Sequence, residues 1–306
     1  MRLILVGQAA FAEKVLDTLV KKGEEVVAVF CPPEAPGGKI DLVKQLALSL
    51  AIPVYQHKSL KAPEVQTEFA ALKADLAILA FVTQIVPLQV INTPRLGSIC
   101  FHPSLLPKYR GGSAINWTLI KGETKTGITI FWPDAGIDTG PILLQKEAEI
   151  SPDDTTGTLY FNKLFPLGVE AISEAVDLIK ADKAPRILQD DSQATYDPLC
   201  RDEHAGITWS QPAQQVYNLI RGCDPQPGAY TTWQGKRVRI YDCRLHSGQP
   251  GKTPGEVIGV ESEGFIVAAW GGGILVRRVR LEDSDKKVSA AEFAAAAGVK
   301  PGSQFG

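Results

Sequence analysis

Residues 1–31 read MRLILVGQAAFAEKVLDTLVKKGEEVVAVFC. Arg2 to Val6 is an apolar run of strand length. Phe11, Val15 and Leu19 then recur at helical spacing as far as Lys22, and Gly23 stops the helix. Glu25 to Cys31 is a second strand. A strand, a helix and a strand in this order predict a βαβ unit, the opening of a mostly parallel sheet covered by helices. The turn Gly7-Gln8-Ala9-Ala10-Phe11-Ala12 lacks the second and third glycines of a dinucleotide fingerprint, so no NAD(P) is expected there.

The alternation continues outward. Ile40 to Leu50 and Glu64 to Lys73 read as helices, Ile52 to Tyr55 and Asp75 to Phe81 as strands, and Val82 to Pro87 as the loop leaving the latter. Residues 97–117, GSICFHPSLLPKYRGGSAINW, carry the next strand, Ser98 to Phe101, apolar enough for burial on both faces. Pro103 ends it and leaves His102 at its C-terminal mouth, the edge where open parallel sheets bind ligands. Ser113 is placed to cap a helix running to Ile120. Strands are expected at Thr126 to Trp132 and Pro141 to Ile150, joined by the loop Pro133 to Gly140 as a long hairpin. A helix with a kink near Pro166 is expected from Thr155 to Ala181.

The segment Ala184 to Asp202 has little periodicity and suits a linker. Beyond it lie a helix, Pro212 to Arg221, and short strands at Tyr230 to Trp233, Lys236 to Leu245, Glu256 to Glu261, Phe265 to Trp270 and Ile274 to Leu281. Such spacing predicts a small barrel or sandwich. The expected division is residues 1–202, linker included, and residues 203–306. The 306 residues are 44% apolar and 22% charged with a net charge of −2, an ordinary globular profile without bulk attraction for nucleic acid or anionic membrane. No apolar run is long enough to cross a membrane as a helix. The opening residues read as a first strand rather than a leader, and five scattered cysteines without a close pair imply reduced thiols, a cytoplasmic setting and no metal site.

HPSLLPKYRG (102–111) followed by SAINWTLI (113–120), with the later DAGIDTG (134–140), resembles the folate-dependent formyltransferases. This family includes methionyl-tRNA formyltransferase, sugar formyltransferases and the N-terminal hydrolase domain of 10-formyltetrahydrofolate dehydrogenase, to which the likeness is nearest. The resemblance implies a Rossmann-like catalytic domain followed by an OB-like β-barrel. It implies 10-formyltetrahydrofolate as the formyl donor, and His102 and Asp138 as the catalytic pair. It implies folate contacts from Gln84, Ile85, Val86, Ser104, Leu105, Leu106, Pro107 and Asp138.

The chemistry suits those residue types. Moving a formyl group needs a nucleophile stripped of a proton and an oxyanion held in place, and an imidazole beside a carboxylate handles protons near neutral pH. Most formyltransferases of this family have Asn two residues before the His, whereas Cys100 stands here. The hydrolase domain also lacks that Asn and has an apolar residue. Cys100 and His102 share a strand face, which raises a covalent thiol route, but a thiol inside an apolar strand is assigned to packing.

The acceptor is water, an aminoacyl-tRNA or an amino-sugar nucleotide. A binding module without turnover is the reading outside enzymes. Residues 32–44 set Lys39 and Lys44 against Glu34 and Asp41, and from Glu203 onward 12 Lys and Arg face 10 Asp and Glu. A tRNA partner is therefore disfavoured.

Overall fold

The computed structural model describes residues 1–247 and 252–306. In chain order the first elements are β1 (Arg2–Gly7), α1 (Ala9–Lys21), β2 (Glu25–Cys31), α2 (Leu42–Ser49), β3 (Val54–Gln56), α3 (Pro63–Leu72), β4 (Leu76–Ala80), α4 (Leu88–Ile91) and β5 (Ser98–His102). There follow α5 (Ala114–Ile120), β6 (Lys125–Phe131), β7 (Ile142–Glu149), α6 (Thr156–Leu159), α7 (Phe165–Lys180) and α8 (Ala213–Gly222). The last are β8 (Ala229–Trp233), β9 (Lys236–His246), β10 (Val257–Glu261), β11 (Gly264–Ala269), β12 (Gly272–Leu281), β13 (Val288–Ser289) and α9 (Ala290–Ala297).

The chain forms two compact units. The first comprises residues 1–112, 126–148 and 162–196, and the second comprises 113–125, 149–161 and 197–306. The first unit is a Rossmann-like sheet in the order β3-β2-β1-β4-β5-β6-β7. The pairs from β3 to β5 are parallel, and β5 meets β6 antiparallel with Cys100 opposite Phe131 and His102 opposite Thr129. Strand order reverses between β1 and β4, and a crevice opens beyond the strand ends at such a switch point.

The inner strands β1, β4 and β5 are buried because both faces are covered. On one face Phe101 packs against Phe11, the two rings tilted with centroids 4.4 Å apart. The same ring presses on Gly168 of α7, where a Cβ would come within 2.4 Å of it, so only glycine allows helix and sheet to approach this closely. Cys100, one residue before Phe101, points to the opposite face and packs with Leu106, Phe131 and Ile142.

Three local expectations are corrected. The single kinked helix over Thr155 to Ala181 is α6, a π-turn at Tyr160–Leu164, and α7. Pro166 has no N–H to donate to the preceding turn, and the wider turn ends just ahead of it. Ser113 does not cap α5: its backbone is not extended, and its Oγ accepts the Cys200 N–H at 3.0 Å instead. The segment read as a linker is held in the first unit as far as residue 196, with Ile187 and Ile142 exchanging backbone hydrogen bonds of 2.7 and 2.9 Å.

The second unit carries an antiparallel sheet in the order β10-β11-β12-β9-β8, with β13 beside β12. The C-terminal tail bonds to both edges: Phe305 N–H donates to Gly255 O, ahead of β10, and Gly306 N–H to Thr232 O on β8. The anchor of the tail is the buried Phe305 ring, stacked on Phe265 at 5.2 Å and set 4.9 Å from Trp233. No helix among the described residues is long and apolar enough to cross a membrane.

Candidate active site

β5 delivers His102 to the C-terminal edge of the first sheet, where only 5% of it is exposed. Its Nε2 lies 2.7 Å from the Tyr109 carbonyl oxygen. A carbonyl accepts only, so Nε2 carries the proton and the other nitrogen, Nδ1, is left as the working atom. Nδ1 is 3.5 Å from Asp138 Oδ2, and that oxygen also accepts the Gly111 N–H at 2.8 Å. Imidazole and carboxylate thus share one site, although the chain reaches them from different strand ends.

Both partners of the ring sit on strained backbone. Tyr109 has φ +58° and Asp138 φ +57°, the left-handed region that non-glycine residues adopt only when their surroundings hold them there. The holding bonds come from the former linker segment. Thr195 Oγ1 accepts the Tyr109 N–H at 2.7 Å, and Thr195 O accepts the Arg110 N–H at 3.1 Å. Gln189 Nε2 donates to the carbonyls of Asp138 and Gly140, each at 2.8 Å. Its Oε1 in turn accepts from the buried Arg110 guanidinium at 2.8 Å. Arg110, Gln189 and Thr195 were not singled out by sequence reasoning. Arg110 stands in the quoted motif and was within reach of it, whereas nothing in the pattern around Gln189 and Thr195 marks them.

A cleft of about 430 Å³ opens beside this pair. Gln84, Ile85 and Val86 form one wall, the loop from Pro133 to Asp138 the other, and Cys100 and Phe131 also line it. The Gln84 side chain is anchored, its Oε1 accepting the Leu60 N–H at 3.1 Å. Asp134 braces the loop from within, accepting from the Gly136 N–H at 3.0 Å and the Thr139 hydroxyl at 2.5 Å.

Ser104, Leu105, Leu106 and Pro107 do not line this cleft. They are the scaffold of the turn that carries Tyr109. Ser104 Oγ donates to Lys108 O at 2.6 Å, and Leu106 N–H donates to Thr129 Oγ1 at 3.1 Å. Leu105 packs on Gly127, and Pro107 O accepts the Thr195 N–H. Two prolines stiffen the segment, but its side chains turn to the core because Leu106 joins the apolar cluster of Phe131 and Ile142.

Cys100 lines the cleft, yet its chemistry is muted. Burial, with a contribution from the Asp138 carboxylate, pushes its thiol far above the ordinary cysteine range. The nucleophilic form of cysteine is the thiolate, so this environment disfavours a covalent route.

Comparison with known proteins agrees with this architecture. A family model described as formyl transferase matches residues 1–176, and one described as formyl transferase, C-terminal domain, matches residues 200–298. Methionyl-tRNA formyltransferase of Geobacter sulfurreducens is 39% identical over 100% of this chain and 97% of its own length. Cytosolic 10-formyltetrahydrofolate dehydrogenase of Xenopus tropicalis is 41% identical over 96% of this chain, which spans about a third (34%) of that relative. Among solved structures, HypX from Aquifex aeolicus in complex with tetrahydrofolic acid superposes with a TM-score of 0.71 at 19% identity, covering 98% of this chain and 48% of its own. WlaRD, a sugar 3N-formyl transferase, gives a TM-score of 0.68 at 18% identity over 93% of this chain and 98% of its own, and both structures share the fold. With both family models matched in order and a relative aligned end to end, the chain belongs to the formyl transferase family of enzymes.

Proposed function

We propose that the chain takes the formyl group from 10-formyltetrahydrofolate and releases tetrahydrofolate, with His102 and Asp138 as the catalytic pair. The observation that carries this reading is the 3.5 Å approach of a buried, tautomer-fixed imidazole to a carboxylate on a cleft wall. Gln84, Ile85, Val86 and Asp138 are the proposed folate contacts.

In the proposed reaction a nucleophile adds to the formyl carbon and loses a proton to the His102–Asp138 pair. His102 Nε2–H stays on Tyr109 O, so the pair holds that proton between Nδ1 and the carboxylate. The tetrahedral carbon then expels N10 of the folate, and the pair returns the proton to that nitrogen. With water as nucleophile the products are formate and tetrahydrofolate. Both imidazolium protons are then committed, one to Tyr109 O and one toward Asp138, so His102 supports the oxyanion by its positive charge; a dedicated donor such as the Asn of most relatives is worth on the order of 3 kcal/mol in acyl transfer.

Water is the leading acceptor. Cys100 is seated in an apolar cluster, as an apolar residue would be in the hydrolase-type relatives. Methionyl-tRNA is the second reading, favoured by the end-to-end match with the Geobacter enzyme. Against it, several of the basic side chains that could meet phosphates already face carboxylates. Lys44 pairs with Glu34 at 3.0 Å, and Arg237 and Arg239 pair with Asp202 at 3.1 and 2.7 Å. Arg244 and Arg277 both pair with Asp242, at 3.3 and 3.5 Å.

Incubation with 10-formyltetrahydrofolate, alone and with charged initiator tRNA or an amino-sugar nucleotide, separates these acceptors. Formate and tetrahydrofolate without added acceptor are expected, and they should be lost in His102→Ala. Product formed only with tRNA moves the assignment to the second reading. No consumption of the folate under any condition rejects the proposal.

Gln189 is a positioning residue in this scheme, acting through the Asp138 and Gly140 carbonyls. Gln189→Ala is expected to lower kcat by roughly 10- to 100-fold with KM for the folate nearly unchanged, since a misplaced group costs rate more than binding. A fall in thermal stability with kcat preserved would make the residue merely structural.

A further inference from the structure

In the second unit, a cavity of about 410 Å³ lies between α8 and residues 150–153. Arg221 lines it, 7% exposed, with no carboxylate within 4.0 Å among the described residues. Its Nε donates to Asn218 Oδ1 at 3.0 Å, and its Nη1 reaches the carbonyls of Pro152 and Asp154 only at 3.5 Å. Its Nη2 has no protein acceptor among the described residues.

Asn218, 6% exposed, faces the same space. Its Oδ1 accepts from both Arg221 Nε and Gln214 Nε2, at 3.0 and 3.1 Å, which fixes the amide and leaves Nδ2 as the outward group. Nδ2 lies against Gly122, where a Cβ would come within 2.7 Å of it, and Gly122 has φ +79°, so glycine keeps this side open. Two side chains more than nine-tenths buried therefore present N–H donors without acceptors to one cavity. Asp154 and Asp153 act on the Arg221 charge without pairing directly with it, so its burial is only partly compensated, and a buried cation so placed is costly.

We propose that this cavity binds a small oxyanion, phosphate or carboxylate in chemistry, held by Arg221 Nη2 and Asn218 Nδ2. The nearby acids do not occupy the place of the ligand. Asp153 Oδ1 accepts the Tyr217 hydroxyl at 2.8 Å and faces Arg244 Nε at 3.7 Å. Glu123, on the cavity wall, has interactions of its own. Burial pulls the Arg221 guanidinium below its ordinary value, the direction that a bound anion would reverse.

The test is isothermal titration of the whole chain with inorganic phosphate and, separately, with acetate, against a sodium chloride baseline. Saturable binding of one of them is expected, and which one binds tells phosphate from carboxylate. Arg221→Gln and Asn218→Ala should each raise the apparent Kd at least tenfold. Should one variant fail to fold, the other carries the comparison. The proposal is overturned if neither anion binds above the chloride baseline, or if a folded variant binds as the parent chain does.

Discussion

His102→Ala is expected to lower turnover of 10-formyltetrahydrofolate by about 10³-fold, within the range that positioned acid–base groups supply. The ring is buried, its Nε2 is committed to Tyr109 O, and only Nδ1 faces the Asp138 carboxylate. His102 lies behind the cleft wall, joined to it through Asp138, and among the described residues no imidazole lines the cleft to replace it. Asp138→Ala should cost a similar factor, and the double variant should fall within about tenfold of either single one, because groups sharing one proton fail together. Asp138→Asn separates proton chemistry from loop geometry. Its amide oxygen still accepts the Gly111 N–H, so the loop keeps its anchor, but it cannot take up a proton. Rate loss in Asp138→Asn equal to that in Asp138→Ala therefore supports proton transfer, and near-full activity in the Asn variant would reduce Asp138 to a loop anchor. Cys100→Ala should keep most of the activity, since the thiol is held protonated. Retention of full activity by His102→Ala would sink the mechanism.

Thr129→Val is expected to destabilise the first unit by about 3 kcal/mol, from buried polar groups left unpaired at roughly 1–3 kcal/mol each. Thr129 is fully buried opposite His102 in the β5–β6 pairing. Its hydroxyl donates to Ser104 O at 2.7 Å and accepts from Leu106 N–H at 3.1 Å and Gln145 Nε2 at 2.9 Å. Valine fills the same volume and makes none of these bonds. The turn from Ser104 to Tyr109 would loosen, and with it the carbonyl that fixes the tautomer of His102. A fall in kcat should accompany the loss of stability. Thr129→Ser keeps the hydroxyl and should cost less than about 1.5 kcal/mol, the loss of one buried methyl group. Urea unfolding of the three proteins measures the difference. Equal stability of the Val and Ser variants would mean that the hydroxyl does not hold the turn.

The sequence by itself determined the layered first unit and most of its elements. Apolar runs such as Ser98 to Phe101 have one structural solution when helices cover both faces, and breaks such as Gly23 and Pro103 are local events. Glu25 to Cys31 is β2 residue for residue, and β8 to β12 lie where alternating short runs between glycine-rich turns place them. His102 was readable as a residue at a strand mouth, and the matched motif carried Asp138 with it.

Tertiary structure decided the rest. The segment from Ile187 to Tyr196 is tied to the sheet edge and to the Tyr109–Gly111 turn mainly through backbone groups, which every residue possesses, so it shows no periodicity to read. The same reason hides Gln189 and Thr195, whose partners lie far away along the chain. Ser104 to Pro107 turned inward because Leu106 found an apolar cluster that exists only after β6 and β7 are in place. Asn218 and Arg221 look like ordinary polar positions on an amphipathic helix. Only the packing of α8 against residues 150–153 buries them, and burial is what turns two common donors into an anion site.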